Sequence, residues 1–307
     1  MPYHSGELEV QARAGVASPR IGVHETIPPV AAQFLAAQRV VIASTADGEG
    51  RVWASLLAGE PGFARAVPHP ASGHPLPAAP GEGLSRPSLS PLPAAPGKGL
   101  SRPSLSPLPA APGEGLGVRV HLTPAAGNEV FDGDAGLLAI EFATRRRMRV
   151  NGRLHHEGAT LVVETREVYS NCPQYITPQP VAVPCLAPAE ASAALTEEQR
   201  AFVRNANTFF IATRHPEAGA DASHRGGLPG FVEVADDRIR WPDYRGNNMF
   251  NTLGNLAVDP RCGLLFTDFR RTLQVTGRAS IIWEGTTRTV ELRVESVLYH
   301  SACAAPS

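Results

Sequence analysis

The sequence predicts a mainly β protein with flanking helices, built as two related closed barrels in tandem. Three observations predict it. A ten-residue stretch occurs twice, ASLLAGEPGF at 54–63 and ASHRGGLPGF at 222–231, identical at six of ten positions. Two further pairs flank it in the same order: RVVIAST (39–45) with TFFIATR (208–214) upstream, and RRRMRVNGR (145–153) with RRTLQVTGR (270–278) downstream. The intervening apolar runs are short and punctuated by turns, which favours closed barrels over a parallel sheet. One large β domain with similar turns is the competing reading.

The elements follow in order. PPVAAQFLAAQ (28–38) predicts a helix with proline in its first turn. LTEEQRAFVRNA (195–206) predicts its counterpart, with Thr196 and Gln199 spaced as a capping box. Each helix runs into an apolar strand. In the first half GLLAIEFA (136–143), MRVNGRL (148–154) and ATLVVETREVYS (159–170) read as strands. In the second half FVEVADD (231–237), RIRWPD (238–243), GLLFTDF (263–269) and LQVTGRASIIW (273–283) do the same. The expected division is a degenerate barrel over 1–185 and a site-bearing barrel over 186–307. Residues 75–90 (PLPAAPGEGLSRPSLS) recur at 91–106 with Lys98 in place of Glu82, and a third copy begins at 107–116. So much Pro, Gly and Ser cannot bury enough surface to offset its ordering entropy. The expectation is a disordered insertion over about residues 69–116 that splits a hairpin of the first barrel. A proline-rich docking segment is the alternative.

Composition narrows the function classes. A chain of 307 residues suffices for two cores. A formal net charge of −1 gives no global field for nucleic acid or an anionic membrane. No apolar run approaches the roughly 20 residues that cross a bilayer. MPYHSGELEVQARAG lacks the form of a signal peptide, so the expected location is cytoplasmic. Cys172, Cys185, Cys262 and Cys303 show no C-x-x-C spacing. They read as isolated thiols rather than a zinc site or disulfide framework. The adjacent His155 and His156 diverge on a strand and make a poor metal site.

The two copies differ where chemistry begins. Leu56 and Leu57 in the first copy become His224 and Arg225 in the second. Only the second half carries RGNNMFNTLGNLAVDPR (245–261); the first has LTPAAGNEVFDGD there. Helical spacing puts Asn248, Asn251, Thr252 and Asn255 on one face, opposite Met249, Phe250, Leu253, Leu256 and Ala257. Asparagine is a poor helix former, so that face either holds a polar ligand or is solvated. The helix is expected to begin near Asn247, just after Arg245 and Gly246. Free N–H groups, a close-approach glycine and an arginine together suit a phosphate.

YRGNNMFNTLGNLAVDPRCGLLFTDF, with SHRGGLPGF before it and LQVTGRASI after it, resembles the flavin-binding segment of the pyridoxamine 5′-phosphate oxidase-related proteins, in the flavin-nucleotide-binding subgroup. The resemblance covers most of 195–285 and, more weakly, 28–170. It implies FMN-binding split β-barrels, with FMN held by one barrel and walled by a second. Family members take the second barrel from a dimer partner. Here the first half would supply it as an intrachain pseudo-dimer, in a monomer or a homodimer. The resemblance places Ser223, His224 and Arg225 where a strand and turn approach the flavin. It assigns Arg245, Asn247 and Asn248 to the phosphate, and Asn251 and Thr252 to the phosphate or ribityl chain. Gln274 lies on a strand whose counterparts face the ring, and Arg214 is a further candidate. Each has a plain structural alternative: a turn histidine for His224, a solvated cap for the loop, outward exposure for Gln274. Arg145, Arg146 and Arg147 either reach across to the phosphate or form a solvated turn, and Cys172 is a turn residue or a thiol near the flavin. The namesake's full basic set for pyridoxamine phosphate is not found, which argues against vitamin B6 oxidation.

The implied activity is that of an FMN-dependent oxidoreductase acting on a small molecule, the flavin carrying the electrons. With no Rossmann glycine fingerprint, NAD(P)H as redox partner would bind transiently on the flavin. A deazaflavin (F420) in place of FMN, a non-catalytic flavin-binding or storage module, and a scaffold with a lapsed site remain open.

Overall fold

Two antiparallel sheets with the same strand order make up most of the computed structural model, which describes residues 2–20, 22–67, 119–170 and 172–303. The first sheet contains β1 (Val40–Ala46), β2 (Val52–Ala58), β3 (Ala64–Val67), β4 (Arg119–Leu122), β5 (Ala126–Gly127), β6 (Gly133–Glu141), β7 (Arg146–Glu157) and β8 (Thr160–Ser170). The second contains β9 (Glu190–Ser192), β10 (Thr208–His215), β11 (Gly219–Gly226), β12 (Glu233–Ala235), β13 (Arg238–Pro242), β14 (Arg261–Thr267), β15 (Thr272–Glu284) and β16 (Thr287–His300). The order β3-β4-β8-β7-β6-β1-β2 in one matches β12-β13-β16-β15-β14-β10-β11 in the other. Helices α2 (Pro29–Ala36) and α3 (Glu197–Arg204) precede the matched strands β1 and β10, as expected. Thr196 caps α3 reciprocally with Gln199. The architecture is the split-barrel pseudo-dimer within one chain.

The repeated sequence segments are repeated structural solutions, with RVVIAST and TFFIATR matching one residue away from their sequence alignment: Ile42 pairs with Leu56 and Leu138 where Phe210 pairs with His224 and Leu265. The NGR and TGR triplets mark a register shift at the same point of each sheet, between Asn151 and Gly152 and between Thr276 and Gly277. A Cβ on Gly152 would lie 2.0 Å from the Glu164 carbonyl oxygen, and one on Gly277 would lie 1.9 Å from that of Arg293. Only glycine fits there. The strands VVIAST and TFFIAT read as continuous apolar runs because both their faces are buried. Val41 and Ala43 fill the first barrel, while Val40 and Ile42 face outward into a shared core. Phe209 and Ile211 fill the second barrel, while Phe210 and Ala212 join that same shared core. Leu56, Leu138, Ile140 and Phe142 from one half meet Phe210, Leu265 and Phe269 from the other. At roughly 1.5–3 kcal/mol per fully buried large apolar side chain, this interface contributes as a core does.

The structure corrects several expectations. Residues Ser5–Arg13 form an unforeseen helix, α1, which packs on α4 (Asn251–Val258) of the second half. Gly6 and Gly254 make the approach possible, since a Cβ on Gly6 would lie 2.1 Å from the Gly254 carbonyl oxygen. Helix α4 starts at Asn251 rather than near Asn247, because Asn248 and Phe250 take left-handed φ values of 59° and 57°. Cys185 and Cys303 form a disulfide, so the expectation of isolated thiols holds only for Cys172 and Cys262. The Pro/Gly/Ser repeat lies outside the described residues. The strands on either side of it, β3 and β4, pair as a hairpin, as expected. Among the described residues, no helix is long and apolar enough to cross a membrane.

The halves touch through glycine. A Cβ on Gly136 of β6 would lie 2.6 Å from Asp221 Cα on β11, and one on Gly263 of β14 would lie 2.5 Å from the Val52 carbonyl oxygen on β2. Gly263→Ala is therefore expected to lower unfolding stability by about 1–3 kcal/mol through overpacking at this contact, read by urea denaturation.

Candidate functional site

The same contact puts charged residues of both halves against each other. On β7, Met148 and Val150 point into the first barrel's core, which sends Arg147 and Arg149 to the opposite face. β11 crosses that face. Arg147 Nη1 donates to His224 Nδ1 at 3.2 Å, and its Nη2 donates to the Cys172 carbonyl at 2.6 Å. Arg149 Nη1 donates to both Asp221 carboxylate oxygens, at 2.8 and 3.0 Å. Arg225 Nη1 pairs with Asp243 at 3.1 Å, and Asp243 also takes Arg288 at 2.9 Å. Arg147, Arg149 and Arg225 line one cleft with His224, Tyr175, Tyr244, Gly246 and Asn247.

Charge balance singles out Arg147. Among the described residues it is the cleft arginine with no carboxylate partner. Burial pushes its pKa down to about 10, with Arg149 and Arg225 adding repulsion. His224 is 4% exposed and packs edge-on against Phe142 and Phe210. Burial, then the three arginines, hold its pKa well below the usual histidine range, so the ring is neutral. With Nδ1 accepting from Arg147, the proton sits on Nε2, which is buried and unpartnered. A half-buried guanidinium without an anion and a buried donor without an acceptor each cost free energy unless a ligand completes them.

The start of α4 borders the other end of the cleft. Arg149, Arg225, Asn247, Asn248, Asn251 and Thr252 line a second cavity continuous in its residues with the first. The N-cap residue is Phe250, and no side chain caps the helix, so its first-turn N–H groups lack that partner. The cavities hold about 90 and 70 Å³. Tyr175 stacks on Tyr244 at 5.1 Å, both partly exposed, and Tyr175 Oη donates to the Arg245 carbonyl at 3.1 Å.

Several predicted residues have other employment. Gln274 is buried, but its Nε2 donates to the Ala54 carbonyl at 3.0 Å and to Ser55 Oγ at 3.1 Å, away from the cleft. Arg245 is exposed and lends only its carbonyl. Asn251 Nδ2 donates to Glu7 Oε1 at 2.9 Å, and Asn255 Nδ2 donates to Thr213 Oγ1 at 3.0 Å. Asn251 and Asn255 are thus bonded inside the protein, while Asn248, Asn251 and Thr252 line the second cavity. Ser223 and Thr252 share a 2.8 Å hydroxyl bond. Arg214 lies in a different cavity, near Asp47 and Arg153. Arg145 and Arg146 form the exposed turn of the arginine run, whereas Arg147 turns inward. Arg149 and Asp221 were not anticipated; alternation along RRRMRVN, which puts Arg147 and Arg149 on one face, was the available signal.

The twin of this cleft is filled. Gln274 and Thr272 stand where the first half has Arg149 and Arg147. Besides the Gln274 bonds, Thr276 Oγ1 donates to the Val52 carbonyl at 2.8 Å, and Asn128 Nδ2 donates to Thr272 Oγ1 at 2.9 Å. Leu56 and Leu57 hold the matched register positions of His224 and Arg225.

Residues 195–297, α3 into β16, match the family model described as pyridoxamine 5′-phosphate oxidase. A comparison with curated proteins finds no match. Among solved structures, the chain is similar to HupZ of Group A Streptococcus at 15% identity over 36% of this chain and 99% of that one, with a TM-score of 0.30. It is similar to a FAD-binding protein of Mesorhizobium loti at 10% identity over 37% and 98%, with a TM-score of 0.27.

The cleft's polar lining continues into α1. Glu7 accepts from the His4 N–H and from Asn251, and Gln11 Nε2 donates to the Asn248 carbonyl at 3.2 Å. Burial raises the Glu7 pKa to about 7, although the His4 N–H and Arg20 oppose it. Its folded pKa exceeds the unfolded value of 4.5, so the stability it contributes is full below 4.5 and is lost as pH rises through about 7. His4, lowered to about 4 by burial, acts in the opposite sense. The Tm advantage of Glu7→Gln over the parent is therefore expected to grow between about pH 5 and pH 8. Thermal melts of both proteins across that range, which lies above the titration of His4 in the folded protein, check it.

Proposed function

We propose that this chain, which belongs through residues 195–297 to the pyridoxamine 5′-phosphate oxidase family, binds one flavin in the cleft between its halves and serves as a flavin-dependent oxidoreductase on a small molecule. The observation that carries the reading is the unbalanced pair Arg147 and His224 beside an uncapped helix start. Together they present a fixed positive charge, a neutral N–H donor and open backbone amides to one anionic ligand.

The residues fit a phosphate-bearing cofactor. Arg225, Arg149 and the first turn of α4 would hold the phosphate, with Asn247 and Asn248 beside it. Arg147 and His224 Nε2 would hold a second acceptor of the same molecule. Cavities of this size accept a phosphate-sized group and fall below the roughly 300–1,000 Å³ that enclose a whole small ligand. The remainder of a flavin therefore requires the Tyr175–Tyr244 stack to part. A bound flavin supplies the electron and hydride chemistry. The chain's own part is binding, orientation and the exclusion of water beneath that aromatic pair. His224, held neutral, donates a hydrogen bond and carries no mobile proton at neutral pH. FMN is the proposed flavin, and FAD and a deazaflavin are the competing ligands.

Absorbance titration of the purified protein tests the reading: FMN should bind once per chain and bleach under anaerobic NADPH. Retention without bleaching would reduce the function to flavin binding, and refusal of every flavin would overturn it. Arg147→Ala should weaken FMN affinity roughly 10- to 150-fold, the worth of one charge-assisted hydrogen bond to the ligand. Arg245→Ala should stay within about two-fold.

A further inference from the structure

Five buried side chains from both halves meet beneath the cleft. Asp221, 3% exposed, accepts two bonds from Arg149 Nη1, one from Tyr169 Oη at 3.1 Å and one from Ser223 Oγ at 3.1 Å. These four bonds fill the roughly four acceptor positions of an ionised carboxylate. Ser223 Oγ in turn shares its 2.8 Å bond with Thr252 Oγ1, in the first turn of α4. Arg149 stands on β7 and Tyr169 on β8 of the first sheet, and Asp221 and Ser223 stand on β11 of the second. The bonds that Arg149 makes all use Nη1, which leaves Nη2 to the cavities that Arg149 lines. The first half has Trp53 at the matched position, and its indole N–H donates to Asp47 instead. The twin cleft therefore lacks this joint.

We propose that Asp221 is the positioning residue of the anion seat, an inference that rests on the phosphate-binding reading above. It holds Arg149 of one half and, through Ser223 and Thr252, the start of α4 of the other half in a single frame. Ligand binding and the docking of the two halves are thereby coupled. The simpler role, charge cancellation, predicts the opposite outcome. If Asp221 only neutralised Arg149, removing its charge would free a buried cation and tighten the binding of any anion. Positioning predicts weaker binding despite the more positive cleft.

The test titrates Asp221→Asn with FMN and, separately, with inorganic phosphate, at low and high salt. The expected result is an FMN Kd raised roughly ten-fold or more, with phosphate weakened in parallel. An unchanged or lower Kd for Asp221→Asn overturns the proposal and leaves the phosphate-binding reading intact. A parent protein that binds neither probe overturns both. Thr252→Val keeps every bond to Asp221 and cuts only the arm to α4, and Ser223→Ala keeps the Arg149–Asp221 pair while losing that arm and one donor to Asp221, so both serve even if Asp221→Asn fails to fold. Each is expected to keep the ligand-free Tm within a few degrees while shrinking the rise in Tm that FMN produces. A full FMN-induced rise in both variants would sink the proposal.

Discussion

Each half of this protein presses one strand against the other's sheet so closely that a single methyl group would not fit. Gly136 lies under Asp221, and Gly263 lies under Val52, Trp53 and Ala54. Backbones this near bring side chains of opposite halves within direct hydrogen-bonding reach. Arg147 and Arg149 meet His224 and Asp221 for that reason, and Gln274 meets Ser55 for the same reason at the twin contact. The apolar core around Phe142, Phe210, Leu265 and Phe269 holds the approach in place. The cleft is a product of docking and belongs to neither half alone.

One geometry with two sets of side chains gives two different outcomes. At the twin contact, leucines and neutral amides or hydroxyls close the space and find partners. At the cleft, three arginines gather around two carboxylates, Asp221 and Asp243. Asp221 compensates Arg149, and Asp243 is shared between Arg225 and Arg288. Arg147 is left with a neutral ring and a carbonyl. A low-dielectric interior tolerates such a residual charge poorly, and the imbalance is a stronger sign of an anionic ligand than the number of arginines.

Support for the site comes from outside the matched segment as well. Helix α1 and the segment after it brace the loop before α4 through Gln11 and Ser18, which donate to the Asn248 and Asn247 carbonyls. The loop holds left-handed residues at Asn248 and Phe250, a conformation that persists only where surrounding contacts enforce it. The left-handed turn at Phe250 is also what starts α4 without a side-chain cap and leaves its amides open toward Arg225. Buried Glu7 bonds Asn251 from the same helix, so the brace carries a titratable group next to the site.

The amino-acid sequence by itself determined the duplicated barrels, the helices before β1 and β10 and the split β3–β4 hairpin. All follow from local pattern: a period of two along strands, capping residues, and turns that only glycine can make. It also showed that the two copies differ in polarity, since Leu-Leu against His-Arg is visible without coordinates. Tertiary structure alone decided which polar groups remain unpaired. Asn251, Asn255 and Gln274 are bonded to partners 244, 42 and 219 or more residues away. Arg147 and Arg149 gained theirs because docking of the halves turned a basic run into a cleft wall. Pairing between residues so distant in the chain is set by how sheets pack, and no spacing within one segment encodes it.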